Sequence, residues 1–180
     1  MSEAETPVPA SDLPTRAVMG VVMVAVACFT IASPAFLGAW GHWIFRLLIL
    51  AGATVMLLEW ADMHRVPRAW SLFGAGLLAV LLLGVGEYLY PADEITVVET
   101  VTGELLPAIS RQSFSHAWPG FVVASVSALV LGLLARRRTM VGGYLYIAIP
   151  SFALLTINWA WFGLTFWMML VTWATDIFPY

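Results

Sequence analysis

The composition of this 180-residue chain is that of an integral membrane protein: 61% of its residues are hydrophobic and 11% are charged, whereas soluble proteins average about 25% charged residues. The apolar residues come in runs too long for soluble helices, so we expect an all-α bundle of membrane helices and no second domain. The net charge of −3 argues against nucleic acid as a partner, since phosphate binding needs clustered Lys and Arg on a solvated surface.

The first 15 residues, MSEAETPVPASDLPT, carry three acids and three prolines. A signal peptide has a basic region directly before a short apolar core, so we expect the first helix to be retained. The proline and acid content predicts a flexible tail or contact arm over residues 1–15. Residues 16–180 then form a single transmembrane domain.

The first two crossings are predicted to form a hairpin. The first runs from about 17 to 36 and is ended or kinked by Pro34. The second runs from about 43 to 60, and the link at 37–43 contains two glycines and carries tryptophans suited to the membrane interface. Arg16 before the first crossing predicts a cytoplasmic N-terminus.

The third crossing, about 69 to 90, is rich in Leu and Gly and follows Arg65 and Arg68, which again indicate the inner face. A polar segment follows at about 91–115. It holds four acids set against Arg111, and we expect it to form a loop on the outer side.

The fourth crossing has both of its ends marked. Trp118 and Pro119 open it, the residues from 120 to 135 carry no charge, and the arginines at 136–138 close it. About 18 helical residues at 1.5 Å rise nearly cover a hydrocarbon core of roughly 30 Å. The triple arginine predicts that this end lies in the cytoplasm.

The last segment, Tyr144 to Phe178, is almost unbroken apolar and aromatic sequence after a predicted turn at MVGG. It would span roughly 50 Å as one helix, more than one untilted crossing needs. One interpretation is a single long crossing kinked at Pro150, and the other is two short helices broken near 158–163. We favour the first, which gives five crossings and an outer C-terminus, with six crossings as the alternative.

Charged residues within predicted helices are the best pointers to a functional site, because a charge at the bilayer centre costs at least about 2.5 to 3.5 kcal/mol. Arg46 lies near the outer end of the second crossing, on the same face as His42. It could bind an anionic substrate or a lipid phosphate. We favour the simpler interpretation that it reaches the outer headgroups or pairs with an acid on a neighbouring subunit.

Three carboxylates complete the candidate polar site. Glu59 and Asp62 lie three residues apart at the inner end of the second crossing, where a proton or cation site is one interpretation. A solvated helix end paired with Arg65 or Arg68 is the interpretation that we favour. Glu87 lies near the outer end of the third crossing, where we expect a wet interfacial carboxylate.

The histidines give no cofactor prediction. His42, His64 and His116 fall at predicted membrane boundaries on both surfaces, whereas bis-histidine haem needs ligands at matching depth. No metal site, catalytic residue or cofactor is predicted, although contact with pigment or haem stays open.

Small residues in the fourth crossing predict close helix packing. Ala124, Ala128 and Gly132 recur at four-residue spacing. The third crossing has a looser version in Gly76, Ala79 and Gly84. The aromatic-rich last segment carries more large surface than a lone five-helix bundle buries, which indicates contact with lipid or another subunit.

The order from the third crossing onward resembles the small membrane subunit of tripartite tricarboxylate transporters. The resemblance rests on three stretches, FGAGLLAVLLLGVG, HAWPGFVVASVSALVLGLLARRR and WFGLTFW, within roughly the last 110 residues. The chain differs from that family in two additional N-terminal helices and in lacking a clear final helix. The resemblance implies a larger transport channel as partner, and it supplies no site residue.

We therefore predict a non-catalytic membrane subunit that packs against a larger membrane partner, in a multi-component solute uptake system, in the bacterial inner membrane. The alternative is an accessory subunit of an electron-transfer or light-harvesting complex that contacts pigment, haem or quinone proteins. An intramembrane enzyme built on Glu59, Asp62 and His64 is the weakest hypothesis.

Overall fold

The computed structural model describes residues 13–90, 117–160 and 162–177, which form helices and their short connections. In chain order, the described helices are α1 Leu13–Leu37, α2 Ala39–Met63, α3 Arg68–Leu89, α4 Trp118–Ala135, α5 Arg138–Ala160 and α6 Phe162–Ile177. Five of them, α1 to α5, contain an apolar stretch long enough to cross a membrane. The prediction of an all-α, multi-pass membrane bundle is confirmed.

The hairpin between α1 and α2 is tighter than predicted. α1 continues through Pro34 to Leu37, and Gly38 alone separates it from α2. Gly38 has a φ of 55°, a conformation in which a Cβ would be strained. Gly41 lies directly against the backbone of Ser33 and Pro34. The Ser33 hydroxyl donates to the Gly41 carbonyl at 3.0 Å and joins the two helices at this close contact.

The inner end of the bundle is the end that carries 65–68 and 136–138. Each of its two turns closes a helix by a Schellman pair of hydrogen bonds, with an arginine at the left-handed position. Arg65 has φ 52° and Arg136 has φ 51°, and the amide after each bonds to a carbonyl five residues back, at 2.8 and 3.1 Å. Glycine is the usual residue here, so the two arginines are placed at some conformational cost.

Helices α2 and α5 form the centre of the bundle. α2 packs against α1, α3 and α5, while α5 packs against α2, α4 and α6. Glycines allow the closest approaches: Gly120 of α4 faces the ring of Phe152, and Gly143 of α5 faces the indole of Trp60. The apolar core is therefore held mostly between α2, α3, α4 and α5.

The predicted course of the last segment is wrong. α5 begins at Arg138 and continues through Pro150, so the expected turn at MVGG lies inside it. α5 ends at Ala160 and α6 begins at Phe162, which is the two-helix alternative with its break at 158–163. α6 packs against α1 and α5, and its apolar stretch, Gly163–Thr172, is shorter than the five spanning helices.

Two predicted segments fall mainly outside the described residues. The outer loop at 91–115 lies wholly outside them. Of the predicted tail at 1–15, only residues 13–15 are described, and these belong to the first turn of α1.

The predicted orientation has a direct test on α2, since Trp40 is 77% exposed at the outer end and Met63 is 70% exposed at the inner end. Single-cysteine variants Trp40→Cys and Met63→Cys are made in a Cys28→Ser background. A membrane-impermeant maleimide applied to intact cells should label the first and spare the second. If only Met63→Cys were labelled, the orientation of the protein in the membrane would be opposite to the predicted one.

Candidate functional site

An ion pair joins the outer ends of α2 and α3. Arg46 lies in the second turn of α2 and Glu87 in the last turn of α3, and the antiparallel course of the two helices brings them to one depth. Arg46 Nη1 donates to Glu87 Oε2, and Nη2 donates to the carbonyls of Tyr90 and, at 3.4 Å, Gly86. The Arg46 guanidinium also lies 5.0 Å from the ring centroid of Trp43.

The burial of this pair differs between its partners. The Arg46 side chain is 2% exposed and that of Glu87 is 35% exposed. The predictions for both residues are corrected: Arg46 does not reach the outer headgroups, and Glu87 is not simply a wet interfacial carboxylate. A guanidinium held by a carboxylate and two carbonyls acts as a clamp between helices.

Tyr90 extends this clamp to α5. It is 1% exposed, and its ring lies 5.0 Å from that of Trp159 and 6.3 Å from that of Phe152. Burial raises the pKa of the Tyr90 phenol, and a hydrogen bond with Thr156 offsets part of the rise. The phenol therefore stays neutral at physiological pH, and the outer end of α3 is tied to α2 by its carbonyl and to α5 by its ring.

The acidic pair at the inner end has no buried environment. Glu59 and Asp62 are both exposed, and Asp62 Oδ2 lies 3.9 Å from Arg68 Nη2. The side chains of that pair are 60% and 81% exposed, so their attraction is weak. This geometry agrees with a solvated helix end.

The two described histidines lie at opposite ends of α2. His42 is buried on the same side of α2 as Arg46. His64 stacks on Trp60 with 4.5 Å between ring centroids, and its Nδ1 lies 2.8 Å from the Trp60 carbonyl. His116 lies outside the described residues. Within the described residues, no three His, Cys, Asp or Glu side chains are grouped to hold a metal ion.

The predicted packing residues of α4 lie inside the bundle. Ala124 and Ala128 are fully buried, and Gly132 faces Val141 of α5. Gly120, one turn before Ala124, faces α5 as well. The stripe thus serves contact within the chain.

The inner turn between α4 and α5 borders a cavity of about 330 Å³. Its walls include Gly132, Leu133 and the arginines at 136–138. Adjacent guanidinium groups beside an apolar wall suit the phosphate and upper chain of an anionic lipid.

A second cavity, of about 240 Å³, lies between α1, α2, α5 and α6. Its walls are apolar side chains together with Thr30, Ser151 and Thr165. Beside it, Asn158 Nδ2 donates to the Ile31 carbonyl at 3.4 Å and connects α5 to α1. This site was not predicted from the sequence because it depends on the packing of α6 against α1. The available signals were the polar residues Asn158 and Thr165 on either side of the helix break.

Comparison of the chain with protein-family models, with curated proteins and with solved structures finds no match. The resemblance to the small subunit of tripartite tricarboxylate transporters therefore stays a prediction. What the fold defines is the class: a multi-pass helical membrane protein.

Proposed function

We propose that the protein is a non-catalytic membrane subunit that packs against a larger membrane protein through α3. The observation that carries the proposal is an exposed row on α3 at four-residue spacing: Leu72, Gly76, Val80, Gly84 and Tyr88. Within the described residues, no side chain and no atom of another helix lies within 4 Å of a Cβ placed on Gly76 or Gly84. Because Gly76 and Gly84 have no side chain, the surface of α3 is grooved on both sides of Val80. Tyr88 is exposed at the outer end of this groove.

A π-helical turn straightens this row. Residues Val80–Val85 form i to i+5 hydrogen bonds, which place more residues in each turn than an α-helix does. Residues at four-residue spacing drift around an α-helix, and the wider turn reduces that drift between Val80 and Tyr88. A partner helix can then follow the groove over several turns.

Exposed glycines within a helix call for an explanation, because glycine lowers helix stability by about 1 kcal/mol relative to alanine. The glycines that face inward in this chain admit a neighbouring helix, as Gly74 does for Leu57 and Leu131. Gly76 and Gly84 offer the same close approach on the outer side of α3. Small residues of this kind are typical of helix contacts in membranes.

The polar groups agree with a supporting role. The buried charge Arg46 is held by Glu87 and two carbonyls, and the acids at the inner end are solvated. A transport pathway needs polar groups that converge on a substrate near the midplane. We propose that the larger partner supplies them, in a multi-component solute uptake system of the bacterial inner membrane.

The test is gentle detergent extraction from native membranes, followed by size separation and mass spectrometry. The wild-type chain should migrate with a larger membrane protein, and Gly76→Trp/Gly84→Trp should reduce that association at least tenfold. Gly20→Trp is the matched control, because Gly20 is also an exposed glycine and no described side chain lies within 4 Å of its Cβ position. A partner-free wild-type peak, or a variant that keeps its partner, would refute the proposal.

Uptake gives the functional test. Deletion of the chain should abolish uptake of one class of solute. The wild type and Gly20→Trp should restore it, while the double α3 variant should not. Unchanged uptake of every solute tested after deletion would remove the transport part of the proposal.

A further inference from the structure

The cavity between α1, α2, α5 and α6 opens sideways along α2. Leu48, Gly52 and Met56 line it at four-residue spacing, and all three are exposed. Among the described residues, no side chain and no atom of another helix lies within 4 Å of a Cβ placed on Gly52, so the glycine leaves the mouth of the cavity clear. Because α2 spans the membrane, this mouth faces hydrocarbon.

The size and walls of the cavity suit an apolar chain. Its volume of about 240 Å³ exceeds the roughly 150 Å³ of an apolar protein cavity that holds benzene. Ile31, Phe45, Leu154 and Met169 contribute apolar walls from all four helices. Water gains little in such a space, since it needs two or more polar partners.

One polar group in the wall lacks a partner. Thr165 is 1% exposed, and its hydroxyl has no hydrogen-bond partner among the described residues. Thr30 and Ser151 differ, because their hydroxyls donate to carbonyls of their own helices at 2.9 and 2.7 Å. Thr165 lies in the first turn of α6.

A buried hydroxyl without a partner is unfavourable in a membrane protein, so an external acceptor would be stabilised here. The position of Thr165 suits a carbonyl oxygen as this acceptor. Thr165 lies about one turn of α6 after the outer end of α5, near the depth at which lipid carbonyls meet the hydrocarbon. Gly52 and Met56 lie further towards the membrane centre along α2.

We propose that this cavity binds one hydrocarbon chain that ends in a carbonyl group, with the carbonyl oxygen accepting a hydrogen bond from Thr165 Oγ1 and the chain lying past Gly52 towards Met56. Acyl esters of glycerophospholipids and the ring carbonyls of isoprenoid quinones share this chemistry. The site is separate from the α3 groove, and its occupant lies between α6 and the rest of the bundle.

The experiment is native mass spectrometry of the detergent-purified full chain, titrated separately with phosphatidylcholine and with an isoprenoid quinone. One molecule per chain should bind saturably. Phosphatidylcholine alone would assign the site to phospholipid, and quinone alone would assign it to quinone. Failure of both to bind saturably would overturn the proposal.

Two variants locate the ligand. Gly52→Phe should weaken binding at least tenfold, because its ring fills the mouth, while the matched control Gly20→Phe should stay within twofold of wild type. Thr165→Val, which removes one hydrogen bond, should weaken binding about fivefold. Circular dichroism and thermal unfolding confirm that each variant is folded. Wild-type affinity in Gly52→Phe would overturn the site, and wild-type affinity in Thr165→Val would overturn the carbonyl contact.

Discussion

Replacement of Glu87 by methionine should destabilise the protein by about 3 kcal/mol, the lower end of the range for breaking a buried ion pair. The variant leaves the Arg46 guanidinium, which is 2% exposed, buried without this carboxylate. Glu87 is 35% exposed, and water near it already screens part of the attraction, which places the effect at the lower end.

Removal of the arginine instead of the glutamate should destabilise the protein less. In Arg46→Met the carboxylate of Glu87 can turn towards water, and the main loss is the hydrogen bonds to the Tyr90 and Gly86 carbonyls. We expect about 1 to 2 kcal/mol for this variant. The double variant Arg46→Met/Glu87→Met should be more stable than Glu87→Met alone, since no charge then stays buried.

The measurement is the free energy of unfolding by SDS titration in mixed micelles. Arg68→Met is the control, because the pair of Arg68 with Asp62 is exposed and should contribute less than about 1 kcal/mol. Equal effects of Glu87→Met and Arg46→Met, or a double variant less stable than either, would show that burial of the charge does not set the cost.

The helical spans were predictable because apolar length and flanking charge are local properties of the sequence. The Arg46–Glu87 pair was not predicted, although both residues were placed near the outer ends of their helices. Two adjacent antiparallel helices with opposite charges near one end place those charges at one depth. To predict that they pair, one must also know the rotation of each helix about its axis. An almost uniformly apolar sequence leaves that rotation undefined.

The course of the last segment was not predictable in the same way. No charge or turn motif separates Ala160 from Phe162, and hydropathy alone cannot distinguish one long helix from two shorter ones. The return of α6 depends on its packing against α1. The cavity with Thr165 exists only because of that return, so it had no local signal beyond a few polar residues.

Neighbouring glycines show how closely helix rotation decides the role of a residue. Gly142 and Gly143 are indistinguishable by composition or depth. A Cβ on Gly142 meets no side chain or other helix in the described part of the chain, whereas one on Gly143 overlaps the indole of Trp60. That indole also donates from Nε1 to the Thr139 carbonyl at 3.1 Å, so it is held from two sides.

Gly143→Val should therefore destabilise the protein by about 2 to 4 kcal/mol, combining about 1 to 3 for overpacking with about 1 for the displaced Trp60 hydrogen bond. Gly142→Val is the matched control, with the same added side chain at the adjacent position, and should stay within about 0.5 kcal/mol of wild type. SDS titration gives both values. Trp60→Ala should relieve the overlap, so adding it to Gly143→Val should cost less than it does in the wild type. If Gly142→Val and Gly143→Val were equally stable, the contact between α2 and α5 at the inner end would have to be looser than the structure shows.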